Sequence, residues 1–180
     1  MLDVVQKADG SRYATDGGDI VFEGEFQNFE LEIEWKIQSC GNSGVMYNVQ
    51  ESDKYDAPWM TGPEMQVLDN ACHPDARIIK HKAGDLYDLV ECKYITVKPA
   101  GEWNRARAII NNGKVEHWLN GHKVVDTEMW TPEWDEMVKN SKWKDHPDFG
   151  KFKSGKIALQ DHSDRVWFRN IKIRKLDKTM

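Results

Sequence analysis

The sequence predicts an all-β fold, a sandwich of two antiparallel sheets that carries one short helix. Three observations predict it: apolar and polar residues alternate in several segments, turn-forming residues separate these segments, and one stretch begins with helix-capping residues. The length of 180 residues fits a single domain spanning residues 1–180. Such a chain is long enough to bury a sizeable core.

The clearest strand is FELEIEWKI at residues 29–37. Aromatic and aliphatic residues alternate there with Glu and Lys, which is the two-residue period of a half-buried antiparallel strand. We expect one face of this strand to meet the core and the other to meet solvent.

Further strands are predicted on either side of turn-forming residues. The turn NG at 120–121 is the strongest hairpin signal, since both of its positions need a positive φ. The predicted strands are VMYNVQ (45–50), EMQVLD (64–69), RARAII (105–110), KVEHWL (114–119), HKVVD (122–126), GKIALQ (155–160) and RVWFRNIKI (165–173).

The stretch TPEWDEMVKNSKWKD at 131–145 differs from the rest and predicts the helix. Thr131 can cap its N-terminus, and Pro132 suits the first helical position. Acidic residues in the first turn favour the positive end of the helix dipole.

Composition excludes several function classes. A net charge of -5 along the chain argues against a nucleic-acid partner, and no apolar run is long enough to span a bilayer. No secretion signal is recognisable in the sequence. The cysteines at 40, 72 and 92 cannot all pair within one chain, so no disulfide framework is predicted. The eight Trp residues fit either an aromatic core or stacking platforms for sugars.

Four blocks resemble the 3-keto-disaccharide hydrolase family and occur in the family's order: GPEMQVLDN (62–70), VKPAGEWN (97–104), VEHWLNGHKVV (115–125) and IALQDHSDRVWFRNIKI (157–173). The resemblance covers roughly residues 17–176. It implies a concanavalin A-like jelly roll whose concave sheet forms a carbohydrate-binding groove. It also implies a hydrolase acting on oxidised glycosides in the bacterial periplasm or outside the cell.

The chain departs from the family pattern at its start. Family members usually carry an additional segment with FNG and GW before the GGDI block, whereas here only a short lead precedes it. We therefore expect the number of strands at one sheet edge to differ.

Strand alternation selects candidate site residues, because polar side chains opposite the apolar ones share a non-core face. If the strands that carry them are neighbours in one sheet, these side chains line one groove suited to a polyhydroxyl ligand. The candidates are Glu64, Gln66, Gln160, His162, Trp167 and Arg169. Each also has a blander interpretation, as an ordinary exposed, surface or turn residue.

A change of phase within RVWFRNIKI predicts a β-bulge near Asn170. Further candidates are Ser43, Asp69 and Tyr87, which lie in family-matching blocks, and Trp103 as a stacking surface. Turns also use Ser and Asp for backbone reasons alone. No metal-ligand spacing is present and no cofactor is expected, although a structural cation is left open.

The substrate class implied by the resemblance suggests a mechanism in which a 3-keto group acidifies the proton at C2. A base then removes that proton, the C1 substituent leaves, and water adds back, which amounts to hydrolysis. The hypothesis assigns the base to His162 or Glu64. Arg169, with Gln160 or Gln66, would steady the enolate, and Trp167 or Trp103 would stack on the sugar. The alternative is a non-catalytic, lectin-like carbohydrate-binding module. The sequence does not predict an oligomeric state.

Overall fold

The computed structural model describes residues 18–176 and the backbone of two short strands that precede them. The strands are β1 (Val5–Gln6), β2 (Arg12–Tyr13), β3 (Ile20–Val21), β4 (Phe29–Ile37), β5 (Asn42–Val49), β6 (Glu64–Leu68), β7 (Asn104–Asn111), β8 (Lys114–Leu119), β9 (His122–Glu128), β10 (Lys156–Leu159) and β11 (Val166–Lys175). The helix α1 spans Pro132–Lys139.

The strands form two antiparallel sheets, which confirms the predicted fold class. The seven-stranded sheet has the order β1-β2-β11-β4-β7-β8-β9, and the four-stranded sheet has the order β3-β10-β5-β6. The segment 84–87 hydrogen-bonds along β6, with the amide of Tyr87 donating to the carbonyl of Glu64 at 3.0 Å. The four-stranded sheet is thereby extended by one short stretch of chain. The predicted difference at the N-terminal sheet edge falls largely outside the described residues.

The core lies between the two sheets, and β4 shows how alternation fills it. Leu31, Ile33 and Trp35 are each at most 2% exposed, as their odd positions in β4 predict. His117 of β8 is also buried in this core, between the hydroxyl of Tyr47 and the carbonyl of Gly84, each 3.1 Å away. Burial lowers the pKa of His117 to about 4, so it is a neutral core residue at physiological pH.

The predicted helix forms with the predicted cap but is shorter than 131–145. The side chain of Thr131 accepts a hydrogen bond from the amide of Trp134 at 3.2 Å, and Pro132 occupies the first turn. The helix ends at Lys139, and Ser141 caps a separate 3-10 helix over Lys142–Asp145. The segment after α1 contacts the chain at the edge of the four-stranded sheet, where the ring nitrogen of Trp143 donates to the carbonyl of Tyr87 at 3.4 Å.

The predicted bulge in β11 is confirmed. The register between β11 and β4 shifts between Arg169 and Lys172, and Asn170 has a φ of 53°. Asn tolerates this left-handed conformation better than most residues. The bulge lets Ile171 and Ile173 pack against the core after the phase change.

The prediction that the chain has no disulfide framework is wrong for one pair of cysteines. Cys40 in the turn before β5 is bonded to Cys72 in the loop after β6, 32 residues further along the chain. Cys92 is free and buried. Pairing of neighbouring strands brings the first two cysteines together, which their sequence spacing does not reveal.

Within the described part of the chain, no helix has the length and apolar character needed to cross a membrane.

Candidate active site

A groove of about 1140 Å³ lies on the face of the four-stranded sheet that points away from the core. Alternation along β6 divides the two faces: Met65 enters the core, while its neighbours Glu64 and Gln66 line the groove. The loop 50–60 and the segment 142–146 rise on its sides.

On the groove face of the four-stranded sheet, one row of side chains runs across the strands, with Val21 and Glu64 lining the groove at its two ends. The pairing register sets Val21 beside Ala158, Ala158 beside Met46, and Met46 beside Glu64. Tyr87 follows Glu64 at the edge, because its amide bonds the Glu64 carbonyl. One carboxyl group therefore stands at the end of an otherwise apolar row.

The next row along the strands carries amides, and we call it the amide end of the groove. Gln66 lies opposite Gly44, and the backbone amide of Gln160 donates to the carbonyl of Gly44 at 2.9 Å. The side-chain amide of Gln66 donates to Oδ1 of Asn42 at 3.3 Å. Amides supply both donors and acceptors, which suits the hydroxyl groups of a sugar.

Glu64 is the most perturbed acid in the groove. Its residue is 4% exposed, and burial raises the pKa of its carboxyl group from 4.5 to about 8. The charge of Asp19 acts in the same direction, and that of Lys142 opposes it. At neutral pH this carboxyl is mostly protonated, and once ionised it is a stronger base than an ordinary carboxylate.

Lys142 reaches the groove from the segment that follows α1. Its ammonium lies 3.9 Å from the ring centroid of Tyr87 and 4.5 Å from that of Trp143. Burial lowers the pKa of Lys142, while the charges of Glu64 and two further carboxylates act to raise it. A cation is thereby placed within electrostatic range of the Glu64 carboxyl.

Asp19 brings a second carboxyl group to the groove. Its Oδ1 accepts a hydrogen bond from the amide of Asp161 at 2.7 Å, and burial raises its pKa. Asp161 in turn accepts from the amide of Gly18 at 3.1 Å. His162, the next residue, lines the groove and is exposed.

Aromatic residues line the groove away from the amide end. We call Trp59, Trp143 and His146 the aromatic end of the groove. The ring centroid of Trp59 lies 6.1 Å from that of Trp143 and 5.2 Å from that of His146. Trp143 is held from behind by Phe149, stacked at 4.4 Å. This stacking holds the ring of Trp143 in place within the aromatic end.

Comparison with known proteins identifies the family. A sequence model of the family described as the 3-keto-alpha-glucoside-1,2-lyase-like domain matches residues 4–174. The chain belongs to this family. The resemblance predicted from the four sequence blocks is thus confirmed.

The chain is also similar to a curated relative and to solved structures. It is 38% identical over 183 residues to the 3-keto-disaccharide hydrolase of Bacteroides thetaiotaomicron, covering 90% of this chain and 63% of the relative. The chain therefore spans less than two thirds of that relative. A crystal structure of a candidate glycosyl hydrolase from Parabacteroides distasonis matches with a TM-score of 0.87 and 36% identity over 94% of this chain and 82% of the other.

A second candidate glycosyl hydrolase of Parabacteroides distasonis matches with a TM-score of 0.76 and 26% identity, covering 94% of this chain and 89% of the other. The carbohydrate-binding module CBM66 of Bacillus subtilis matches at 15% identity with a TM-score of 0.61, over 97% and 92% of the two chains. That last likeness concerns the fold alone.

Five of the predicted site residues line the groove. They are Glu64, Gln66, Tyr87, Gln160 and His162. Strand alternation was sufficient to find the four that lie on or just beyond β6 and β10.

Ser43 and Asp69 have backbone roles next to the groove. The buried hydroxyl of Ser43 donates to the carbonyl of Gln160 at 2.8 Å. The carboxylate of Asp69 accepts from the amides of Cys40 at 2.9 Å and Ala71 at 3.1 Å. Their turn interpretation therefore explains them without a ligand.

The expectation that Arg169, Trp167 and Trp103 share the groove with Glu64 is wrong. β11 belongs to the seven-stranded sheet, where Arg169 donates to Glu34 at 2.7 Å. The guanidinium lies 3.9 Å from the ring centroid of Trp103. The ammonium of Lys36 lies 4.7 Å from the centroid of Trp167 and 5.0 Å from that of Trp103. Alternation had identified the outward face of β11 but could not identify its sheet.

Sequence reasoning missed Asp19, Lys142, Trp59 and His146. Asp19 belongs to the GGDI block, which lies outside the strands that alternation predicts. The other three lie in irregular or 3-10 segments, where no periodicity shows which way a side chain points.

Among the described residues, no group of three or more His, Cys, Asp or Glu side chains is arranged to hold a metal ion.

Proposed function

We propose that this domain cleaves 3-keto-glycosides, including 3-keto-disaccharides, by elimination followed by hydration. The observation that carries the proposal is the buried Glu64 carboxyl, which stands between amide side chains and a lysine on the floor of a sugar-sized groove. Family membership and the 38% identity to a protein named 3-keto-disaccharide hydrolase support the substrate class.

The chemistry needs a base rather than a pair of carboxylates. A ketone at C3 stabilises the negative charge left when a base takes the C2 proton. The resulting enolate expels the C1 oxygen substituent, with formation of a C1–C2 double bond and protonation of the leaving group. Water then adds at C1 and a proton returns to C2, so the sum of the steps is hydrolysis.

Glu64 is our candidate for the base. A base works best when its pKa is close to the working pH, and burial brings the pKa of Glu64 to about 8. The carboxyl can hold the C2 proton after abstraction and return it during hydration. His162, the alternative base, is exposed at the edge of the groove, beyond Gln160, and is better placed for proton exchange with solvent.

Lys142 takes the role that the sequence assigned to Arg169. Its ammonium is a preorganised positive charge beside Glu64, suited to stabilising an enolate oxygen. Gln66 and Gln160 are available to hydrogen-bond the hydroxyl groups of the oxidised sugar.

Two other functions use the same groove differently. An ordinary glycosidase needs two carboxyl groups flanking the scissile bond, and Asp19 supplies a second one here. A lectin-like module needs only the amides and aromatic rings. Neither function requires a ketone in the ligand.

Incubation with a 3-keto-glucoside and with its unoxidised parent separates the three functions. Release of the aglycone from the oxidised substrate alone is expected. Comparable cleavage of the unoxidised parent would contradict the elimination route. Binding of both compounds without cleavage would contradict catalysis and favour the lectin-like module.

We further propose that the domain works in an oxidising compartment, periplasmic or extracellular. The Cys40–Cys72 disulfide supports this location, since such bonds persist mainly outside the reducing cytosol. Thiol alkylation without reductant, on protein taken from its native cells, should leave both cysteines unmodified. Their modification would contradict the proposed location.

A further inference from the structure

The groove of this domain has two chemically different ends, with Glu64 between them. Along β5, Asn42 and Gly44 mark the amide end, Met46 lies opposite Glu64, and Val49 follows toward the aromatic end. Side chains on one face repeat about every 7 Å along a strand. The two ends are therefore neighbouring subsites rather than distant surfaces.

Trp59 is tied to the groove floor at the aromatic end. It packs against the cluster of Met46, Val49 and Ala158, which lines the groove side of the sheet and is separate from the main core. It is only half-buried, and it borders the groove together with His146. An indole supported from below and open to a groove offers an apolar surface to a flat ligand.

A glycoside that spans Glu64 has to place its two halves on these two ends. The oxidised sugar carries the hydroxyl groups, which need hydrogen-bonding partners, and the amide end supplies them. The substituent that leaves from C1 then extends past Val49 toward Trp59. The amide end, Glu64 and the aromatic end thus follow one another along the groove in the same order as the oxidised sugar, the scissile bond and the leaving group along the substrate.

We propose that Trp59 is a specificity-determining residue, and that the aromatic end binds the leaving group. The inference rests on the proposed cleavage of 3-keto-glycosides and adds the class of aglycone. The domain selects ring-shaped leaving groups, a second sugar or an aryl group, over small alkyl groups. Stacking on Trp59 supplies the preference.

The test compares phenyl and methyl 3-keto-glucosides, each as both anomers, with wild-type protein and with Trp59→Leu. Leucine keeps an apolar contact with Met46 but removes the flat surface. We expect kcat/KM for the phenyl substrate to fall about 5- to 10-fold, the range that aromatic stacking supplies, and kcat/KM for the methyl substrate to stay within about twofold. The ratio of variant to wild type for each substrate cancels the different leaving abilities of phenol and methanol.

Two further variants fix the interpretation. Trp59→Phe keeps an aromatic face and should keep most of the phenyl preference. Trp118→Leu changes a tryptophan on the outer face of the seven-stranded sheet, where Arg107 covers the ring at 4.4 Å, and should change neither substrate. Thermal unfolding of each variant checks that the fold is retained.

The outcomes separate this inference from the function on which it rests. Wild-type protein that cleaves neither substrate would overturn both. Active wild type whose Trp59→Leu variant loses the two substrates equally, or loses neither, would overturn only the assignment of the leaving-group subsite. Equal phenyl losses in Trp59→Leu and Trp59→Phe would likewise overturn it, because stacking would then not be the cause.

Discussion

The carboxyl group of Glu64 lies directly over Gly44, the residue beside Gln66 on the neighbouring strand. A Cβ atom at position 44 would come closer to Oε1 of Glu64 than real Cβ contacts allow. Gly44 thus leaves the space into which the candidate base leans. The position of this carboxyl depends on a missing side chain on β5 as much as on β6 itself.

Gly44→Ala should therefore displace Glu64 and abolish most turnover. We expect kcat/KM to fall at least about 10-fold and the free energy of unfolding to fall by about 1–3 kcal/mol, as for other overpacked sites. Steady-state kinetics and urea unfolding measure the two effects. Gly24→Ala, at an exposed glycine near only the ring of Phe26, is the matched control and should change neither.

The raised pKa of Glu64 predicts how the rate depends on pH. A base must be ionised before it accepts a proton, so kcat/KM should rise with pH and level off above about pH 8. A profile of kcat/KM for wild-type protein from about pH 5 to about pH 9, a range that brackets the pKa of Glu64, measures this. A rate that falls over the same interval would show that the protonated form of Glu64 is the active one.

The same pKa shift predicts that stability falls as pH rises. Folding raises the pKa of Glu64 from 4.5 to about 8, so the folded chain binds more protons than the unfolded chain between these values. This stability is fully present below pH 4.5 and is lost through about pH 8. The side chain of the Glu64→Gln variant stays neutral. Its free energy of unfolding in urea should therefore rise relative to that of wild type as pH increases across that window. An unchanged difference between the two proteins from acid to alkaline pH would contradict the shift.

Arg169→Ala should leave catalysis intact. Arg169 pairs with Glu34 on the outer face of the other sheet, a partly exposed ion pair that contributes up to about 1 kcal/mol to stability. We expect kcat/KM for a 3-keto-glucoside to stay within about twofold of wild type. Lys142→Ala, which removes the cation beside Glu64, is the informative comparison. It should lower kcat/KM by much more than twofold. Equal losses in both variants would contradict the placement of the site.

Several of the longer strands were predictable because their side chains alternate, whereas the two-residue strands β1, β2 and β3 were not predicted. The odd positions of β4 enter the core as their pattern indicates, and the phase change at Asn170 marks a real bulge. The cap at Thr131 was equally readable, since capping depends on residues only a few positions apart. Strand alternation and helix capping can be predicted because both depend on residues that are close together in the sequence.

The site was only half predictable because it depends on which strands share a sheet. Glu64 and Gln160 line the same groove because β6 and β10 both flank β5, whereas Arg169 lies on β11 in the other sheet. Asp19 and Lys142 come from segments whose direction is set by contacts distant in sequence. Alternation determines the face of a strand, and only pairing determines its neighbours.

The turnover of Glu64→Gln tests the central claim most directly. Glutamine keeps the size of the side chain on β6 and cannot accept the C2 proton. We expect a folded variant whose kcat/KM for a 3-keto-glucoside is at least about 100-fold below that of wild type, the usual contribution of a general base. A folded Glu64→Gln protein that cleaves this substrate within about twofold of the wild-type rate would contradict the account.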